Sequence, residues 1–168
     1  MYTQMPERFL IDGAAFEAWD DSLPLDPLLE SRGIHPIPAA PELVRGYVGW
    51  WALRDGRLWL DRLTGLDDGA VEDAAGRPIT LSRLFPDRAW PFFADWFTGR
   101  MTLRYGRRLR QVRASYGAVT EYERAFSFLG GHLVADVTHR LELAGDVVRR
   151  EFVQDVGRKG SDGGRDRD

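Results

Sequence analysis

The chain contains no cysteine, which excludes disulfides, thiolate metal ligands and a thiol nucleophile, and nothing in it asks for an oxidising compartment. Lysine is almost missing too. Lys159 stands alone, so the basic charge is nearly all arginine, and an arginine cluster carries less information than it would in a balanced composition. No stretch approaches the roughly 20 apolar residues of a membrane span, and the opening MYTQMPERFL lacks the charged and then apolar order of a signal peptide. A cytoplasmic protein is expected. The formal charge of -3 names no partner and supplies little of the basic footprint that nucleic-acid binding needs.

What is present is apolar and aromatic. With 43% hydrophobic residues, 12% aromatics and six tryptophans in 168 residues, the chain is long and apolar enough to bury a core without staples. One domain over residues 1–156 is expected. GRKGSDGGRDRD, residues 157–168, follows as a polar, glycine-rich tail with the composition of disorder.

Turn signals divide the domain into short elements. PERFLIDGAAF reads as a strand ending at Asp12-Gly13. LDPLLESRG reads as one helical turn, with Asp26 as N-cap, Pro27 in the first helical position and Gly33 as the stop. IHPIPAAPE is too rich in proline for regular structure and reads as an extended connector. It leads to RGYVGWWALRDGRLWLDRL, two strands joined by Asp55-Gly56. A type I′ turn there sets Leu53 opposite Leu58, Ala52 opposite Trp59 and Trp51 opposite Leu60. Alternation assigns Tyr47, Trp51, Leu53, Leu58 and Leu60 to the core, and Val48, Trp50, Trp59 and Leu63, mixed with Arg54, Arg57 and Asp61, to the opposite face.

TGLDDGAVEDAAG, with Asp67, Asp68, Glu72 and Asp73, lacks the ligand spacing of a calcium loop and reads as a solvated acidic stretch. TLSRLFP reads as a helical turn capped by Thr80. AWPFFADWFTG reads as another, opened by Pro91, with Phe92/Trp96 and Phe93/Phe97 at i,i+4 spacing forming an aromatic plug for one end of the sheet core, a ligand-stacking role being the rival reading. RMTLRY alternates, turns around Gly106 and returns through RLRQVRASY, with a bulge between Leu109 and Val112. YERAFSFL and HLVADVTHRLELA form a hairpin about Gly130-Gly131. Ala144-Gly145 then turns the chain into a last strand with Val148 and Phe152 inward, a helix over 146–156 being the rival reading. Together these give a mainly β fold: an antiparallel β-barrel or a two-sheet sandwich built of successive hairpins, with short helical turns.

The stretches RGYVGWWALRDGRLWL, LSRLFP, FADWFTG, Tyr116-Gly117 and YERAF follow one another in an order that resembles a family of small, functionally uncharacterised bacterial proteins. The resemblance covers Pro6 to Leu133. Its motifs are mostly glycines, aromatics and turns, so it implies a fold and a bacterial cytosol and carries no activity. Where that family often has a histidine in the strand before the Tyr-Gly pair, this chain has Arg113, which counts against catalysis at that position.

Three constellations follow from the turns. The Gly130-Gly131 register sets Tyr122 opposite His139 and Arg124 opposite Val137, and the Ala144-Gly145 turn sets Arg150 opposite His139. Tyr122, Arg124, His139 and Arg150 would then gather on the apolar side of the sheet, where unpaired charge is costly. They form either a structural network with nearby carboxylates or an anion site for a carboxylate or phosphate. The second constellation is the run Arg100, Arg104, Arg107, Arg108, Arg110 and Arg113, a solvated or partner-binding surface with too few interleaved aromatics for a nucleic-acid groove. The third is the outer hairpin face, Trp50 and Trp59 ringed by Arg54, Arg57 and Asp61. It has the composition of an interface hot spot with a polar rim, unless a second layer covers it.

Catalytic groups are scarce. His35, His132 and His139 share no metal-binding spacing, Ser115 and Ser127 sit in no nucleophile elbow, and no cofactor motif stands out. The expected function is a non-catalytic cytosolic binding module with a protein partner, engaged through Trp50, Trp59, Arg54 and Arg57 or through the arginine run. The alternative is a carrier or sensor of a small anionic ligand held by Tyr122, Arg124, His139 and Arg150.

Overall fold

A computed structural model describes residues 4–18, 24–38, 40–68, 76–111 and 118–153. Strands β1 (Glu7–Ile11) and β2 (Ala14–Ala18) form a hairpin about Asp12-Gly13. The chain continues through helix α1 (Asp26–Ser31), the long hairpin β3 (Tyr47–Arg54) and β4 (Arg57–Asp67), a short β5 (Arg77–Pro78), the single turn α2 (Leu81–Leu84) and β6 (Phe92–Phe93). Four strands complete it: β7 (Gly99–Gln111), β8 (Ala118–Leu129), β9 (His132–Ala144) and β10 (Val147–Phe152). The fold is mainly β. No helix among the described residues is long and apolar enough to cross a membrane.

The strands join one mixed sheet in the order β10-β9-β8-β7-β2-β1-β3-β4-β5, with β6 added against β4. Successive hairpins do not account for this order. β1 lies parallel to β3, from Arg8 opposite Trp50 to Ile11 opposite Leu53, so the β1–β2 hairpin is inserted between β3 and β7. β9 then comes back to β4: Arg57 faces His132, Leu58 N–H donates to the Gly131 carbonyl at 2.9 Å, and Leu133 N–H donates to the Gly56 carbonyl at 2.8 Å. The arrangement is ring-like. Its narrow seams are this junction and the contact of Ala18 in β2 with Leu103 in β7.

One face of the sheet carries the core. Phe9 and Ile11, Trp51, Leu58 and Leu60, Met101 and Leu103, and Phe126 and Phe128 meet in a single buried cluster, as period-two alternation requires of half-buried strands. Leu25 and Leu29 from the α1 region and Leu84 from α2 add to it. Thr80 caps α2 as expected, its hydroxyl accepting from Arg83 N–H. Asp26 does not cap α1. The N-cap is Leu25, and the Asp26 carboxylate instead accepts the Tyr47 hydroxyl proton in a hydrogen bond.

Three further departures share a cause: a partner distant in sequence overrides a local signal. The helical turn expected in AWPFFADWFTG is absent, because Phe92 and Phe93 pair with Leu60 and Trp59 of β4. Phe92, Trp96 and Phe97 still pack on the core, with Phe85 centred 4.5 Å from Phe92 and 5.1 Å from Trp96, whereas Phe93 lies on the other face against Trp59. β7 does not turn at Gly106 but runs through it with register shifts, Tyr105 facing Tyr122 and Arg108 facing Thr120, because β8 offers a continuous partner. Asp67 is buried rather than solvated. It accepts from His35 N–H at 3.0 Å and from the Arg83 guanidinium at 2.6 Å, tying the connector and α2 to β4. Glu72, Asp73, Arg113, Tyr116 and the tail 157–168 lie outside the described residues.

Candidate functional site

The Asp55-Gly56 turn has φ values of 50° and 68°, both positive as type I′ demands, and the register follows: Leu53 faces Leu58, Ala52 faces Trp59 and Trp51 faces Leu60. Beyond that last pair the register shifts, and Trp50 faces Arg62. The shift changes the phase of β4. Leu63, expected on the outer face, turns into the core cluster, while Trp50 and Trp59 stay outside and half-buried.

An apolar band crosses this outer face. Trp59 packs on Phe93 with 5.4 Å between ring centroids, and Phe93 meets His132 at 5.1 Å, nearly edge-on. In the other direction Trp59 faces Ala52, Ala52 faces Leu10, and Leu10 faces Ala15. Beyond His132 comes Leu129, its cross-strand partner. Leu10 and Leu129 are both exposed. Arginines lie on the rings: Arg62 over Trp50 at 4.6 Å and Arg57 over Phe93 at 5.8 Å. Arg54 is held by Asp61 in a two-bond pair, and Arg8 is held by Glu17. Among the described residues, Arg57 and Arg62 have no carboxylate within ion-pair distance.

The expected anion cluster is not assembled. Phe128 faces Leu133 as the Gly130-Gly131 turn predicts, but Ser127 faces Ala135, leaving Val134 as an extra residue in β9. From there Glu123, not Tyr122, faces His139, and Tyr122 faces Arg140. A shift of one residue moves a side chain to the other side of the sheet. Tyr122 and Arg124 therefore share the side of Phe126, and His139 and Arg150 share the opposite one. Tyr122 stacks on Tyr105 at 5.3 Å. Arg124 makes a bidentate pair with Asp136 at 2.9 and 2.6 Å and lies over Phe126.

The final turn is Gly145-Asp146 rather than Ala144-Gly145, so Arg150 faces Leu141 and Phe152 faces His139, where their rings meet edge-on at 5.7 Å. β10 is a strand, not the rival helix, and Phe152 is exposed rather than inward. Buried Glu123 sits between Arg104 at 3.8 Å and Arg150 at 3.7 Å. That is an ion network internal to the chain.

The most deeply buried charge is one that the turns do not reveal. Glu7, closed off from solvent, accepts from Gly49 N–H at 2.8 Å, Trp51 Nε1–H at 2.6 Å and the Arg45 guanidinium at 2.8 Å. A Cβ at position 49 would stand 2.5 Å from Glu7 Oε2 and 2.7 Å from Trp51 Nε1, so only glycine fits. Burial pushes the Glu7 carboxyl from 4.5 up to about 7, against the opposing pull of Arg45 and of the Trp51 and Gly49 hydrogen bonds, with Asp26 adding a small upward push. Burial, then the hydrogen bond to Asp26, drives the neighbouring Tyr47 phenol well above its ordinary range. A signal for Glu7 existed in β1, where it shares the inward phase with Phe9 and Ile11. Chemically, this group locks β1 to β3 and, closed off from solvent, keeps its proton up to a pH of about 7.

No protein-family model, curated protein or solved structure matches the chain.

Proposed function

We propose that the protein is a non-catalytic binding module whose outer aromatic face, built on Trp50, Trp59 and Phe93, receives an acidic segment of a protein partner. The observation that carries this reading is the pair Arg57 and Arg62, stacked on aromatic rings with no carboxylate of their own among the described residues, beside an apolar band that opens at Leu10 and Leu129. Aromatic anchors rimmed by arginine are the usual composition of an interface hot spot. A segment bearing Asp or Glu beside an apolar side chain would supply both missing partners at once. We read the ring-like sheet as a small β-barrel, supported by the return of β9 onto β4. Such closure would present the face as a rigid surface. A cysteine-free chain suits the reducing bacterial cytosol that the motif resemblance suggests.

Peptides selected from a random library on the full chain are expected to be enriched in Asp and Glu next to aromatic or branched apolar residues. Their binding should fall by about tenfold or more in Trp59→Ala and in Arg62→Ala, with the far-ultraviolet circular dichroism unchanged. Selected peptides indifferent to both substitutions would remove the reading, as would a Trp59→Ala chain that no longer folds.

A further inference from the structure

β10 ends the sheet. Its neighbour is β9, and its other edge is open among the described residues. Val147 faces Ala144 across the two-residue turn, and Val153 N–H donates to the Thr138 carbonyl at 2.9 Å, so the odd-numbered residues direct their backbone groups at β9. The N–H and C=O groups of Val148, Arg150 and Phe152 therefore point outward, a template for another strand. Exposed apolar side chains gather on the same segment: Val147 at 64%, Phe152 at 65% and Val153 at 37%. Arg149 and Glu151 are exposed among them.

An interface between two identical copies must be self-complementary about its two-fold axis, and the stretch VVRREFV, residues 147–153, has that property when read from its two ends. We propose that β10 pairs antiparallel with β10 of a second copy, with the axis at Arg150. The free backbone groups restrict the register, because a residue pointing outward must face another that points outward. With Arg150 on the axis, Val148 faces the partner's Phe152, Arg149 faces the partner's Glu151, and Val147 faces the partner's Val153. Apolar meets apolar and cation meets anion on either side of the axis. At the axis Arg150 meets the partner's Arg150, and each is relieved by its own Glu123, whose carboxylate lies 3.7 Å from Arg150 Nε. Moving the axis to Arg149 or to Glu151 would set like charges against each other and lose both ion pairs.

A strand of 6 residues buries too little surface for an obligate dimer, so the association is weak and concentration-dependent. Sedimentation equilibrium of the full chain over a concentration series is expected to show monomer–dimer exchange. Arg149→Glu and Glu151→Arg should each weaken it by roughly tenfold, and the double variant Arg149→Glu/Glu151→Arg should restore it, which separates a lost interface from a lost fold. A wild type that stays monomeric throughout the series overturns the proposal. So does a dimer that ignores either single reversal, or one that the double reversal fails to restore.

Discussion

Trp51 and Trp59 stand on the same hairpin and meet different surroundings. Trp51 is 1% exposed, stacks on Phe9 at 6.2 Å, and donates its indole proton to a carboxylate that is itself buried, beside a glycine that leaves no room for a methyl group. Trp59 is half-buried against Phe93, with Arg57 over that neighbouring ring and exposed apolar side chains farther along the face at Leu10 and Leu129. On the inner face the Glu7 carboxyl is taken up by Gly49, Trp51 and Arg45, so a change there is felt as lost stability. The outer face keeps the Arg57 and Arg62 cations and aromatic surface free of carboxylates among the described residues, and under the proposed function a change there is felt as lost association. Residue type is the same in both cases; what each indole is hydrogen-bonded to and covered by sets its role.

The contrast can be broken from the inside first. Trp51→Ala removes the largest fully buried side chain of the core and should cost about 3–5 kcal/mol in a denaturant titration. The lock beneath it titrates. Because the Glu7 carboxyl is raised from 4.5 to about 7, the folded state binds the proton more tightly than the unfolded one. Its stabilising contribution is whole below pH 4.5 and is lost as pH rises through 7, a fall of about 3 kcal/mol. Unfolding midpoints measured from pH 4.5 to 8 should show that fall in the wild type and lack it in Glu7→Gln; an equal slope in the variant would place the titration elsewhere. Gly49→Ala pushes a methyl group into Glu7 Oε2 and should cost about 2 kcal/mol by the same titration. Last and smallest, Trp59→Ala should cost about 1 kcal/mol, as a half-buried contact does, and leave the pH profile untouched.

How far the sequence could be read depended on where each hairpin is interrupted. Asp55-Gly56 announces its turn because both residues adopt positive φ, and the register counted from it holds through Trp51 and Leu60, so Ala52 and Trp59 fell on the correct face. Leu63 lies beyond the shift and did not. At Gly130-Gly131 the interruption comes sooner. β9 begins between two partners, since residues 131 and 133 bond to Leu58 of β4 and to Gly56 in the turn before it while the rest of the strand follows β8, and Val134 is the residue left over. That one residue separates Tyr122 and Arg124 from His139 and Arg150, and nothing local to β8 and β9 reports a constraint imposed by β4. The parallel pairing of β1 with β3 is equally silent in a chain read element by element. Glu7 was legible in principle, as an acidic residue in the inward phase of β1. Asp67 was hidden by its acidic neighbours, because its partners, His35 and Arg83, are distant in sequence.

The two faces are compared most directly by amide-type hydrogen exchange at the two indole Nε1–H groups, followed by nuclear magnetic resonance in the folded protein. The Trp51 proton, bonded to Glu7 inside the core, should exchange only through global unfolding, and the Trp59 proton should exchange far faster, through local exposure. Equal protection of the two would contradict the division of the hairpin into a closed face that holds the fold and an open face that we propose for a partner.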